Sequence, residues 1–444
     1  MKIAYFSPFS PDRSGVSDFS EELVFGLKKY MDVDIYAKTP VHNEKITYNF
    51  SVYNINNFDG SKLSEYDQRV YQVGNNIGYH KNVVDTFKKF PGILELHDLA
   101  LHHYLAEDTF VVKKYDEYLK IMEYCHGEKG KNTAQLFLNS KIRAPWEYHG
   151  LKYAVNKHLI DMAKGVIVHS DLAKQYVKGV RPNVPIVSIP LHAPDIIDDY
   201  TKYKVECKVK LTIPKDTIVL GSFGYATPAK RIPQILEALG NFKKQDKRNF
   251  LYYIVGAVEH MDVKQLAHKY DIGDNVRVTG FTSLDDFKIH MGACDICFNL
   301  RYPTQGESSA SLHRILGLGK PVMVSAIGSF EEYPDDIVAK IGYEGSEVAD
   351  ICNALTSILS SPATIDEMSA KAFAYAKENL DLDKNARKYH DFFMDLDNYR
   401  HCDNYVEMLV DRITGLGIID QNYIQNFANE KLDIFKHLNS KEIL

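Results

Sequence analysis

From Lys2 to about Pro190, short β-branched runs alternate with longer segments whose apolar residues recur every three or four positions. That alternation predicts a parallel sheet wound with helices, because each parallel strand needs a crossover that packs on the sheet. The expected strands are Ile3–Phe6, Val33–Ala37, Val70–Val73, Ile93–Leu96, Val166–Val168 and Ile186–Ile189. After the first of them, Val16, Phe19, Leu23, Leu27 and Tyr30 fall on one face of a helix. The pattern pauses in the polar stretch Asp198 to Lys210 and restarts at Ile218, with strands expected at 218–223, 250–255, 276–278, 296–299 and 321–325. Ile232, Ile235, Leu236, Leu239 and Phe242 again mark one helix face, and residues from about 363 read as helices broken near Gly415-Leu-Gly417. The expected architecture is α/β: two doubly wound domains, 1–200 and 201–380, facing across a cleft, with C-terminal helices at 381–444 packing back toward the first. In such folds ligands bind at the carboxyl ends of the strands, so the cleft is the expected site.

Composition narrows the function. The 444 residues are 45% hydrophobic and 25% charged, which excludes a disordered chain. A net charge of −6 argues against a protein that coats nucleic acid, since that affinity comes from clustered Lys and Arg. No run reaches the roughly eighteen to twenty apolar residues of a membrane span, and Met1 to Phe9 reads as a first strand rather than a leader. Six cysteines scattered along the chain form no disulfide framework, and a cytoplasmic location is expected.

The segment from Asn299 to Val322 carries the strongest chemical signal. A buried strand runs into a loop containing Arg301, Pro303, Gly306, Glu307, Ser308 and Ser309, then into a helix stopped by Gly319. Backbone N–H groups at such a helix start can hold a diphosphate, with hydroxyl donors from Ser308 and Ser309; the plainer reading is a capped helix. In Gly221-Ser-Phe-Gly-Tyr-Ala-Thr-Pro-Ala-Lys-Arg231, Lys230 and Arg231 sit near a helix start, where cations are disfavoured unless a ligand explains them. Gly15, between the first strand and first helix, admits close approach of a substrate, or simply ends a loop. His97 and Asp98 end a strand at the cleft edge, where an imidazole or carboxylate can orient a hydroxyl or take its proton. With His102 and His103 they also invite a metal reading, and core histidines are the plainer one. Asn75 and Asn76, beside His80, form another polar strand end suited to sugar hydroxyls or to ordinary turns. Cys294-Asp-Ile-Cys297 runs into a strand and reads as buried thiols.

The Asn299–Val322 segment resembles the nucleotide-sugar motif of glycosyltransferase family 4 (glycosyl transferases group 1), whose members have the GT-B fold of two Rossmann-like domains. Aligned backwards from Gly319-Lys-Pro321, the family's second Glu falls on Arg314 and its first on Gly306, beside Glu307. The 221–231 loop is similar to the family's Gly-Arg and Lys loop, with Lys230 at the Lys position and Tyr225 in place of Arg. The resemblance implies transfer of a sugar from a nucleotide-sugar donor to an acceptor hydroxyl, with retention, without metal or cofactor. Lys230, Arg231, Ser308, Ser309 and Gly15 would bind the donor diphosphate. Glu307 would hold the sugar and His97 or Asp98 the acceptor, with Asn75, Asn76, Arg301 and Arg314 elsewhere in the cleft. It further implies a glycan, lipid-linked or protein acceptor, no nucleic acid, and work on bacterial surface polysaccharide, lipopolysaccharide or capsule. Lys28–Lys29, Lys88–Lys89 and Lys113–Lys114 are candidates for peripheral contact with the inner face of the plasma membrane. Two other readings stay open: a non-catalytic GT-B partner of an active transferase, and a sugar-nucleotide epimerase.

Overall fold

The computed structural model describes residues 1–148, 150–194 and 196–396. The chain divides into a compact unit, Met1–Ala386, and a second unit, Arg387–Leu444. The helices expected from 397 to 444, with the break near Gly415, lie outside the described residues.

Two parallel sheets follow one another in the first unit. Strands β1 (Lys2–Phe6), β2 (Asp32–Ala37), β3 (Ser51–Asn54), β4 (Gln68–Val73), β5 (Ile93–Leu96), β6 (Gly165–Val168) and β7 (Ile186–Ser188) lie in the order β3-β2-β1-β4-β5-β6-β7. Strands β8 (Ile218–Phe223), β9 (Phe250–Val255), β10 (Val276–Gly280), β11 (Ile296–Asn299), β12 (Val322–Ser325) and β13 (Val338–Ile341) lie in the order β10-β9-β8-β11-β12-β13. In each sheet the chain winds outward on one side of its first strand and then returns to the other side. Crevices therefore open at the carboxyl ends of β1 and β4, and of β8 and β11.

The expected strands are all present, and the structure adds β3 and β13, both at sheet edges. Edge strands bury less and carry polar residues, so Ser51-Val-Tyr-Asn54 and Val338-Ala-Lys-Ile341 lack the apolar run that marks a central strand. The central strands are buried on both faces, and Phe6 stacks between Tyr36 and Tyr71 with ring centroids 4.6 and 4.4 Å away. Helices close over both sheets as their periodicity requires. Gly15–Leu27 is capped by Ser14, which accepts from Ser17 N at 3.1 Å, and buries Phe19, Leu23, Val24 and Leu27. Ile232–Gln245 buries Ile232, Ile235, Leu236, Leu239 and Phe242 against the second sheet.

Leu239→Ala removes a fully buried side chain from that core and is expected to destabilise the fold by about 2–5 kcal/mol. Tyr48→Ser, at a position 91% exposed, is expected to change stability by less than about 0.5 kcal/mol. Urea denaturation followed by far-UV circular dichroism compares the two, and equal effects would contradict the packing described.

Candidate functional site

On the second sheet, β8 ends at Phe223 and turns through Gly224, whose φ of +83° lies in the region that favours glycine. A Cβ there would stand 2.8 Å from the Lys230 ammonium, so the absence of a side chain lets that group fold back over the strand end. Lys230 donates to the Phe223 carbonyl, and among the described residues no carboxylate is within ion-pair distance of it. Dense burial of the ammonium, reinforced by Arg301, pushes its pKa down to about 7. A small cavity of about 10 Å³, lined in part by Ser222, Asn299 and Leu300, adjoins it. Arg231, expected beside Lys230 on the diphosphate, is instead held by Glu347, with Nε 2.9 Å from Oε1 and Nη2 2.5 Å from Oε2.

The loop after β11 supplies the facing wall. Glu307 is 7% exposed and its Oε2 accepts from Gln305 N at 2.7 Å and Thr304 Oγ1 at 3.1 Å, while Oε1 lies 3.3 Å from Arg301 Nε. Gly306 explains why the carboxylate stands at 307. Its φ is +74°, and a Cβ would meet Leu99 and Leu151 at 2.8 Å, so no acidic side chain fits there. Ser309 is the N-cap of the Ala310–Gly317 helix, accepting from Leu312 N at 3.3 Å and receiving Asn299 Nδ2 at 2.9 Å. Ser308 donates to the His169 carbonyl at 3.2 Å. Arg314, expected among the cleft residues, forms a partly buried ion pair with Glu22 at 2.6 Å, and the other Glu22 oxygen lies 3.1 Å from His192 Nε2. Glu22 belongs to the Gly15–Leu27 helix, so this pair ties the two wound halves together.

Across the cleft, Asp98 follows β5, and its Oδ2 accepts from Asn75 N at 2.8 Å. Burial first, and then Glu307, push the Asp98 pKa up to about 6, against the lowering effects of Asn75 N and Arg301. Two carboxylates and one guanidinium thus sense one another at the point where the two strand-end crevices meet. His97 Nε2 lies 2.6 Å from Gln72 Oε1, and burial beside His169 and His80 holds its pKa well below the usual range, leaving the ring neutral. Asn75 Oδ1 accepts from Tyr104 N at 3.1 Å, and Asn76 caps the Ile77–Lys89 helix through Gly78 N at 2.9 Å. Asn75 therefore shapes the Asp98 site, whereas the Asn76 side chain serves its helix. Gly15 stands exposed at the start of its helix, and a Cβ there would meet nothing within 4 Å, so no crowding requires glycine.

The structure brings Lys230, Arg301, Glu307, Asp98, Asn75 and His97 into one region and gives Arg231, Ser309, Arg314 and Asn76 structural partners. His102 is saturated, with Nδ1 2.9 Å from Tyr153 O and Nε2 2.8 Å from Tyr118 OH, so the His102–His103 run holds no ligand set. Residues that the sequence reading passed over are Glu22, Gln72, Glu95 and Glu347. Glu95 carried a signal, since a carboxylate inside Ile-Leu-Glu-Leu of a doubly covered strand contradicts the pattern around it.

Residues 204–379 match the sequence profile of the family described as Glycosyl transferases group 1. No curated protein matches the chain significantly. Sucrose-phosphate synthase from Thermosynechococcus elongatus is similar in structure, with a TM-score of 0.61 and 14% identity over 90% of this chain and 100% of that chain. The Anabaena protein HepE, solved with UDP and glucose, shows a TM-score of 0.61 and 14% identity over 89% of this chain and 100% of its own. WaaG, a glycosyltransferase involved in lipopolysaccharide biosynthesis, shows a TM-score of 0.56 and 14% identity over 88% and 99%. With two parallel sheets in series and this likeness over nearly the whole length of the neighbours, the protein has the GT-B fold, and its residues 204–379 match the glycosyl transferases group 1 profile.

Proposed function

We propose that the chain transfers a sugar from a nucleotide-sugar donor to an acceptor hydroxyl, with retention of anomeric configuration. The observation that carries this reading is Lys230, a desolvated ammonium beside Arg301 that lacks a carboxylate partner among the described residues. A diphosphate is the natural counter-ion. In the transition state negative charge gathers on the departing nucleotide, and fixed donors aimed there, Lys230, Arg301 and the amides ahead of the Ala310–Gly317 helix, stabilise it. Glu307 accepts hydrogen bonds from donor hydroxyls. Asp98, with its raised pKa, is suited to share the acceptor proton. Arg231 enters only as the residue whose pair with Glu347 fixes the turn behind Lys230.

HepE was solved with UDP, which supports a uridine nucleotide as the first donor to try. WaaG supports a role in bacterial surface glycan assembly, on a glycan, lipid-linked or protein acceptor. No described helix is long and apolar enough to cross a membrane, and we place the reaction in the cytoplasm, with peripheral membrane contact through the paired lysines. One observation favours a second reading, a non-catalytic partner subunit: Arg314 stands where the family carries a carboxylate and is committed to Glu22.

Lys230→Ala is expected to weaken UDP-glucose binding by about 10- to 100-fold, the worth of a charged hydrogen bond. Isothermal titration checks it, and unchanged affinity would remove Lys230 from the phosphate site. Glu307→Gln is expected to lower kcat far more than it weakens donor binding; equal losses would make Glu307 a loop brace. Turnover by the purified chain alone separates the transferase from the partner reading.

A pH dependence follows from Lys230, whose charged neighbour is Arg301, itself paired to Glu307. Its pKa is about 7 without ligand and rises when a diphosphate binds, so binding above that pH takes up a proton. Affinity for UDP-glucose is expected to fall between roughly pH 7 and 9, approaching about tenfold per unit, and Lys230→Ala should flatten the slope. Titrations in buffers of different ionisation heat measure the proton directly, and a pH-independent affinity with no uptake would contradict the assignment.

A further inference from the structure

Under the Gly15–Leu27 helix the first sheet carries polar groups where a doubly covered parallel sheet is otherwise apolar. Gln72 on β4, Glu95 on β5 and His169 just past β6 are buried. Glu95 pairs in register with Gln72 on one side and Ile167 on the other. Residues two apart along a strand share a face, so His97 and His169 continue the Glu95 side. Their ring centroids lie 4.8 Å apart.

The hydrogen bonds fix which nitrogens carry protons. His169 Nδ1 is 2.9 Å from the Ile189 carbonyl, which only accepts, so Nδ1 is the donor. Nε2 then presents a lone pair; it is buried without a hydrogen-bond partner and faces Glu95 Oε1 at 3.7 Å. Gln72 Nε2 donates to Glu95 Oε2 at 2.5 Å, which turns the Gln72 oxygen to His97 Nε2 at 2.6 Å. His97 therefore donates from Nε2 and keeps its lone pair on Nδ1.

A ligand atom from each of Glu95, His97 and His169 lies within 4.8 Å of the other two. Each residue also has the outer partner that orients a metal ligand: a backbone carbonyl for His169, and the Gln72 amide for both Glu95 and His97. Two imidazoles and a carboxylate form the donor set of three-ligand zinc sites, whereas magnesium and calcium ask for oxygens. We propose that Glu95, His97 and His169 bind a divalent transition-metal ion, zinc by donor set, on the first-domain side of the cleft. The ion bridges the His169 lone pair to the Glu95 carboxylate and steadies the end of β5 that carries Asp98. This site is separate from the diphosphate site, stands independently of the donor reading, and departs from the metal-free expectation raised by the family resemblance.

The test uses the full chain, stripped with a chelator and titrated with zinc, with bound metal measured by elemental analysis and stability by thermal melting. One equivalent per chain and a raised midpoint are expected, with at least about tenfold weaker binding in both Glu95→Gln and His169→Gln. A Cys294→Ser, Cys297→Ser double variant should bind as well as the parent. Cobalt substitution gives a second readout on the unmutated chain: visible bands without a thiolate charge-transfer band fit the set. If His169→Gln fails to fold, the near-isosteric Glu95→Gln and the cobalt spectrum decide. No stoichiometric uptake, uptake indifferent to Glu95→Gln, or uptake lost with the cysteines would each overturn the site.

Discussion

Everything at the cleft depends on burying charge at the carboxyl ends of two parallel sheets. A parallel sheet covered on both faces leaves only its strand ends open to polar chemistry, and there the dielectric is low enough for single charges to matter. Lys230 shows the consequence: its ammonium is deep enough for its pKa to fall to about 7, yet its hydrogen-bond partner is a carbonyl. Asp98 shows it from the other sign, raised to about 6 by burial and by Glu307. Neither shift arises on an open surface, where water screens both groups.

In the second half, the loop after β11 departs from the motif it resembles. Gly306 is left-handed and crowded by Leu99 and Leu151, which disfavours an acidic side chain there, and the carboxylate of this loop stands at Glu307, braced by Thr304, Gln305 and Arg301. Arg314, at the position where the resembled motif has its second Glu, pairs with Glu22 from the first sheet's helix. Breaking such a largely buried pair strands a charge, so position 314 is part of the contact between the two halves. Ser308 to His169 and Ala100 N to Gln305 O, at 2.9 Å, add hydrogen bonds across the same seam.

Much of the architecture was legible because periodicity records burial. Val16, Phe19, Leu23 and Leu27 could be read as a helix face, and Ile218 to Phe223 as a strand, without any contact being known. Edge strands β3 and β13 were not legible, since half-exposed strands of four residues carry no apolar run. Among the candidate residues, Lys230 could be singled out from loop chemistry and family spacing, and Glu307 from its place beside Gly306, where that spacing falls. Glu22, Glu347 and Gln72 could not, because each acts on a partner far away in the chain.

The sequence by itself determined two wound α/β halves, a nucleotide-sugar-like loop and a short set of candidate charges, all properties of local pattern and spacing. The tertiary structure alone decided which charges face one another. Arg231 and Arg314 looked as available as Lys230 in one dimension, but Glu347 lies 116 positions from Arg231 and Glu22 lies 292 from Arg314. Only packing brings those carboxylates within hydrogen-bond distance, and once it does, the two arginines are paired in place while Lys230 has only a carbonyl partner. A Coulomb interaction in a buried site depends on separation in space, which sequence distance does not encode.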